Sequence, residues 1–269
     1  MLIIILFAFL QGFTEFLPVS SQGHLIVFNN IYKIDNTIDI SIHQSAIIAH
    51  FGSFFAVFVF YFKTIKGFLF SIKMIDRPDI DKDSFLLVNL IISTLPVVIM
   101  GYFFSKAFDY NNDYILTIIA TTSIVFGILL FVVDTFCLRI KNQNSLNYKT
   151  SFFVGICQCA ALIPGVSRSG AILTGMRFFG FQRKFCVHYS NLLSLPVILA
   201  ATTLMLTSTF EDFSINMIIN LSGMIIFSLS FLFSLIFIYF FVSWVKKFSL
   251  FIFVLYRMLF GAFLFFFLI

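Results

Sequence analysis

Charge is scarce in this sequence. Asp, Glu, Lys and Arg supply 11% of its 269 residues, where an average soluble domain carries about 25%. A water-exposed globular surface is therefore excluded. Cysteine chemistry is lacking too. Cys137, Cys157, Cys159 and Cys186 form neither a CxxC pair nor a metal-ligand spacing, and they read as small apolar residues. There is no GxxxxGK(S/T) loop for nucleotide phosphates, no GxSxG elbow and no HExxH zinc motif. What the chain has instead is apolar bulk. Hydrophobic residues make up 60%, Phe alone contributes 42, and the mean hydropathy is +1.05. The remaining class is an all-α integral membrane protein, and no nucleic-acid partner is expected. The net charge of +5 matters less than where the basic residues sit.

Apolar runs of roughly 17–25 residues suffice to cross a bilayer. They predict six transmembrane helices, near 44–62, 85–104, 114–133, 189–207, 217–242 and 248–269. Two further stretches are half that length. Residues 1–10 stop at Gln11 and Glu15, and residues 151–163 run into Pro164-Gly165-Val166-Ser167-Arg168-Ser169-Gly170. Irregular backbone at membrane depth survives only where protein or a wet cavity covers it. Both stretches are therefore expected to be re-entrant broken segments whose tips meet inside the protein. The first has no basic leader and no small-residue cleavage site, which speaks against a signal peptide.

Basic residues gather in alternate linkers. Lys63, Lys66, Lys73, Arg77 and Lys82 lie in 63–83, and Arg139, Lys141 and Lys149 in 134–149. Arg177, Arg183 and Lys184 precede the fourth span, and Lys246 and Lys247 the last. The other side holds Lys33, Lys106, Glu211 and Asp212. The positive-inside rule puts the basic linkers in the cytoplasm. The segment around Glu15 then enters from outside and that around Arg168 from inside. A single polytopic domain, 1–269, is thus read as an inverted repeat with halves near 1–135 and 150–269. Pro18-Val19-Ser20-Ser21-Gln22-Gly23 matches Pro164 to Gly170 with one inserted Gly. Val125 to Leu130 weakly matches Leu259 to Leu264. Inverted repeats with broken helices put their site near the midplane.

The chemistry-bearing residues lie in the breaks. Gln11 and Glu15, four apart, share a helix face. Glu15 is the only carboxylate in either broken segment, and a buried carboxylate needs a cation, either a metal or Arg168. Ser21 and His24 lie three apart, close enough to cooperate after a turn at Pro18. The plainer alternative has Ser20 capping a helix and His24 bonding nearby backbone. In the second break, Gly165 and Gly170 let backbone approach an anion, Ser167 and Ser169 add hydroxyl donors, and Arg168 can grip phosphate oxygens bidentately. Its plainer role is to neutralise Glu15. Arg257 reads equally as structural or functional, and His50 faces either a cavity or a neighbour. His43 and His188 read as interfacial.

The quoted motifs together resemble the undecaprenyl-diphosphate phosphatase family, also called bacitracin-resistance proteins. Gln11-xxx-Glu15 followed by Phe-Leu-Pro-Val-Ser-Ser-Gln-Gly-His, then Pro164-Gly-Val-Ser-Arg-Ser-Gly, carry the likeness. His50-Phe-Gly52-Ser53, Leu95-Pro96, Leu195-Pro196 and Tyr256-Arg257 extend it over most of the chain. One departure stands out: the family pattern places a Thr where this chain has Ile172, and Thr174 lies two residues on. The resemblance implies hydrolysis of undecaprenyl diphosphate to the monophosphate and inorganic phosphate, in the bacterial plasma membrane, at a site opening outward. It also implies a divalent cation, Mg²⁺ or Ca²⁺. Glu15 and Gln11 would hold the metal. Ser20, Gly165, Ser167, Arg168, Ser169 and Gly170 would hold substrate. Glu15, Ser21, His24 and Arg168 would be catalytic, with Ser21 attacking and His24 as its base. The rival has His24 as nucleophile or as base for a water. A homodimer is compatible with the sequence. The competing reading is a polyprenyl-phosphate flippase on the same repeat.

Overall fold

The structure, a computed structural model, describes residues 1–32, 41–104, 114–208 and 220–269. Lys33, Lys106, Glu211 and Asp212, which weigh in the orientation reading, lie outside the described residues. Eleven α-helices are described. They are α1 (Leu2–Thr14), α2 (Ser21–Tyr32), α3 (Ile42–Phe60), α4 (Phe62–Ser71), α5 (Lys82–Phe104), α6 (Ile115–Phe136), α7 (Tyr148–Cys159), α8 (Arg168–Phe178), α9 (Arg183–Ser208), α10 (Leu221–Trp244) and α11 (Phe251–Phe267). Among the described residues there is no strand, only one isolated bridge between Lys141 and Phe181. An all-α outcome follows from the composition. A chain this apolar must close its backbone hydrogen bonds within each segment.

Helix starts follow local chemistry. Ser41 and Gln44 form a reciprocal capping box ahead of α3, with bonds of 3.3 and 3.0 Å. Asn147 caps α7 by accepting the Thr150 N–H at 2.9 Å. Five helices are long and apolar enough to cross a membrane: α3, α5, α6, α9 and α10. The sixth expected span corresponds to α11, which is apolar but only 17 residues long. That is about 25 Å of helix, against a hydrocarbon core of about 30 Å. The Lys246-Lys247 turn and Leu250 delay its start to Phe251.

Two series of helix pairs build the bundle. α1 packs along α10 as α7 packs along α5, α3 packs on α10 as α9 packs on α5, and α6 lies along α11. The first two pairings are close because a glycine sits at each crossing. A Cβ on Gly12 would come within 2.6 Å of Phe233 Cβ, and one on Gly155 within 2.6 Å of the Ser93 carbonyl. Small residues at such crossings let backbones approach in lipid, where association relies on packing and interhelical hydrogen bonds. The hydroxyls of Ser53 and Ser234 meet at 2.9 Å between α3 and α10, and those of Ser93 and Tyr189 at 2.6 Å between α5 and α9. The outer faces stay apolar, with Phe55, Phe103, Phe152 and Tyr239 among the exposed residues.

Candidate active site

Helix α1 ends at Thr14 and α2 begins at Ser21. α7 ends at Cys159, a short turn follows, and α8 begins at Arg168. The two interruptions share a local design. Ser20 has φ 75° and Ser167 φ 73°, a left-handed backbone that non-glycine residues rarely adopt. Each then caps the next helix. Ser20 Oγ accepts the Gly23 N–H at 3.3 Å, and Ser167 Oγ accepts the Gly170 N–H at 3.1 Å. The inserted Gly165 has φ +90°, and a Cβ there would strike Thr122 and the Ile119 backbone. Strain of this kind persists only when the surroundings hold it.

What holds it is a buried arginine. Arg257 on α11 donates Nη1 to Pro18 O at 3.2 Å and Val166 O at 2.9 Å. Its Nη2 reaches Gly165 O at 3.0 Å and Thr122 O at 3.3 Å, and its Nε reaches Ser123 O at 3.1 Å. One guanidinium thus ties both breaks to α6. Ser169 adds a cross-link, donating to Leu17 O at 2.7 Å, and Thr122 Oγ1 donates to Pro164 O at 2.7 Å.

The tips of the breaks meet at Glu15. Arg168 Nη2 lies 3.1 Å from Glu15 Oε1. Glu15 Oε2 accepts from Gln11 Nε2 at 2.9 Å and from the Ser21 hydroxyl at 2.8 Å. His50 Nδ1 stands 3.4 Å from the same oxygen and 2.9 Å from Gln11 Nε2. Two buried atoms of this cluster have no protein partner among the described residues: Arg168 Nη1, a donor, and Gln11 Oε1, an acceptor. An unmet donor and an unmet acceptor in one buried cluster suit an oxyanion and a cation arriving together.

The pairing of Ser21 with His24 expected from their spacing does not form. His24 Nδ1 is 2.6 Å from Ser20 O, and Nε2 is 2.7 Å from the Tyr256 hydroxyl. A carbonyl can only accept, so Nδ1 carries the proton and Nε2 accepts from Tyr256. The ring stacks against α11, with its centroid 4.1 Å from that of Phe260 and 5.6 Å from that of Tyr256. One helical turn beyond Ser20 turns His24 inward, toward α11, while Ser21 faces Glu15. The plainer alternative for Ser20 and His24, a cap and a backbone bond, is what the geometry contains.

The remaining expected substrate residues, Gly165, Ser167, Ser169 and Gly170, all lie in the second break, within its capping network. Ile172, at the position where a Thr was expected, is fully buried in the apolar core. Thr174 bonds its own helix at Gly170 O, 2.8 Å away. His50, left open by the sequence, belongs to the Glu15 cluster. Tyr256 and Arg257 gain their positions through a histidine ring and backbone carbonyls respectively. Thr122 carried no sequence signal at all. Among the described residues no group of three or more His, Cys, Asp or Glu side chains gathers anywhere. A hard cation here would rest on Glu15, the free Gln11 carbonyl oxygen and oxygens brought by a ligand, a donor set that fits Mg²⁺ bound to phosphates.

Comparison with known proteins gives a consistent answer. The family model described as bacitracin resistance protein BacA matches residues 4–263. An undecaprenyl-diphosphatase from Pelagibacter ubique (strain HTCC1062) is 36% identical over 269 residues, covering 97% of this chain and 95% of the relative. The undecaprenyl-diphosphatase of Aliivibrio salmonicida (strain LFI1238) is 34% identical, covering 95% and 93%. That of Alteromonas mediterranea is 33% identical, covering 96% and 95%.

Proposed function

Since this chain belongs to the bacitracin resistance protein BacA family, we infer that its two breaks form the active site of an undecaprenyl-diphosphate phosphatase. The protein hydrolyses undecaprenyl diphosphate to undecaprenyl phosphate and inorganic phosphate. That reaction returns the lipid carrier to cell-wall synthesis and depletes the diphosphate that bacitracin targets. The observation that carries the site assignment is the 3.1 Å contact of Arg168 with Glu15 across the two breaks, with Arg168 Nη1 left unpartnered among the described residues.

The chemistry follows from that contact. Phosphoryl transfer needs charge stabilisation and alignment more than covalent assistance. Arg168 holds the terminal phosphate through Nη1, helped by the N–H groups at the start of α8. Ser21 attacks the terminal phosphorus as the bond to the bridging oxygen breaks, and undecaprenyl phosphate departs. The Ser21 proton passes to Glu15 Oε2, 2.8 Å away. Water then cleaves the phosphoserine, releasing phosphate and restoring the serine. His24 positions the first break through Ser20 O and Tyr256. It does not serve as the base for Ser21, because both of its ring nitrogens are engaged elsewhere. Glu15 and Gln11 would hold a divalent cation, which would supply charge neutralisation for the two phosphates.

In the bilayer, the breaks act as re-entrant segments of an inverted repeat, α11 is the sixth span, and the site opens to the outer face of the plasma membrane. The matching serine caps, the like packing of α1 on α10 and α7 on α5, and the clustering of basic linkers support this arrangement. A flippase on the same scaffold would move lipid between leaflets without releasing phosphate.

The test is phosphate release from a C55 or C15 diphosphate by purified protein, with and without EDTA. Release that EDTA suppresses is expected; lipid movement without release would favour the flippase. Trapping the phosphoenzyme should label Ser21. A phosphohistidine, or no adduct, would overturn the serine attack.

A further inference from the structure

Far from the breaks, the end of α6 carries a second cluster of charge. Asp134 lies eleven residues beyond Ser123, about 16 Å along the helix. Its carboxylate is saturated. Oδ1 accepts from Arg177 Nε at 3.0 Å and Arg183 Nε at 2.7 Å, and Oδ2 from Arg183 Nη2 at 2.7 Å and the Leu250 N–H at 3.3 Å. Arg177 is fully buried and directs its other nitrogens to the carbonyls of Leu138, Phe181 and Cys137. It is a structural clasp. A third guanidinium, Arg139, reaches only the Asp134 carbonyl, through Nη2 at 2.6 Å. Three positive groups therefore surround a single carboxylate that has no acceptor capacity to spare. Among the described residues, Arg183 Nη1 and Arg139 Nε and Nη1 have no protein partner. Desolvation and the adjacent Arg183 charge hold the largely exposed Arg139 guanidinium below its usual range, with Asp134 acting in the opposite direction.

These free donors border a cavity of about 350 Å³. Arg139, Arg183, Thr135, Ser249 and the arginine-paired Asp134 form its polar side, and Phe131, Phe251 and Val254 its apolar flank. The two rings lie 5.9 Å apart and face outward, 36% and 52% exposed. Polar donors at one end and an exposed apolar flank at the other describe a site for an amphiphile. Basic pockets between membrane helices recognise anionic headgroups in this way, and arginine matches phosphate oxygens bidentately.

We propose that this cavity is a binding site for the phosphate of an anionic phospholipid, gripped by Arg139 and Arg183, with the acyl chains running over Phe131 and Phe251. The ligand is a structural lipid and not the substrate, because the breaks that carry Glu15 and Arg168 are tied to α6 at Thr122 and Ser123, about 16 Å along the helix from Asp134. The lipid would brace the foot of α11, whose preceding residue, Leu250, already donates its N–H to Asp134.

The test uses the full-length protein in neutral detergent, titrated with phosphatidylglycerol, with phosphatidylcholine of the same chains, or with inorganic phosphate. Bound lipid is read by native mass spectrometry and thermal unfolding is followed in parallel. Phosphatidylglycerol should be retained preferentially and should raise the melting temperature. Arg139→Gln should weaken its binding about fivefold, the loss of one guanidinium near a headgroup. Its melting temperature without lipid and its hydrolysis of a C15 diphosphate should not change. Arg183→Gln is less informative, because it also breaks the Asp134 pair. Equal retention of the two lipids, or an Arg139→Gln protein that binds phosphatidylglycerol as wild type does, would overturn the proposal. Stabilisation by inorganic phosphate alone would assign the cavity to a soluble anion and equally overturn it.

Discussion

Glu15 is satisfied on both oxygens before any substrate arrives, whereas Arg168 Nη1 has no partner among the described residues. The arginine can thus keep its carboxylate contact through Nη2 while offering Nη1 to a phosphate. Arg168→Ala should abolish turnover. Arg168→Lys should lower kcat by about two to three orders of magnitude, the range for losing one donor to transition-state charge, because an ammonium cannot span carboxylate and phosphate together. Near-normal phosphate release by the lysine variant would show that the bidentate grip is not used. These two residues were legible in the sequence because ionised groups are expensive at membrane depth, so a carboxylate and an arginine set in apolar breaks point to a site. The orientation of His24 was not legible. Spacing placed it near Ser21, but the left-handed turn at Ser20 fixed which side of α2 faces Glu15. Ile172 is a similar case. The family pattern places a Thr at this position. The side chain instead sits wholly within the apolar core, where a hydroxyl can reach only its own helix. The variant should lose about 1 kcal/mol of stability and keep its turnover per folded molecule, as thermal unfolding beside phosphate release would report.

At the scale of elements, the two breaks behave as one unit because α11 holds them together. Their existence was readable from Pro, Gly and Ser interrupting half-length apolar runs, and the motif match between Pro18–Gly23 and Pro164–Gly170 anticipated the shared serine caps. The clasp was not readable. Arg257 bonds five carbonyl oxygens, and a carbonyl belongs to every residue, so no side-chain pattern in the sequence marks those partners. Arg257→Met keeps much of the volume but leaves these carbonyls without their donor. Stability should fall by on the order of 3 kcal/mol, and turnover should vanish with it. Arg257→Lys, with one cationic head, should recover part of the stability but little activity, since it cannot reach both breaks. A lysine variant with full kcat would mean that the breaks hold their geometry unaided. The glycine crossings were also hidden: Gly12 lies inside the Gln11-xxx-Glu15 motif and Gly155 in an apolar run, and only the packing of α1 on α10 and of α7 on α5 reveals why a side chain is excluded there.

At the scale of the molecule, composition alone gave the class, and charge distribution gave a sidedness that the helices now make testable. Asp134, Arg139, Arg177, Arg183 and the turn before α11 come together at one end of α6, so residues separated by more than a hundred positions in sequence share a surface. Tyr114, exposed at the start of α6, marks the other end of that helix. A spanning α6 must therefore separate position 114 from position 139 by a bilayer, and the positive-inside rule assigns the latter to the cytoplasm. The native cysteines are first replaced, since Cys157 is itself exposed. A cysteine at 114 or 33 should then react with an impermeant maleimide on intact cells, and one at 73 or 139 only after permeabilisation. The opposite pattern would turn the whole bundle over and direct the Glu15–Arg168 site inward. Labelling of 114 and 139 from the same side would remove α6 as a span, and with it the membrane frame in which two half-helices can meet at depth.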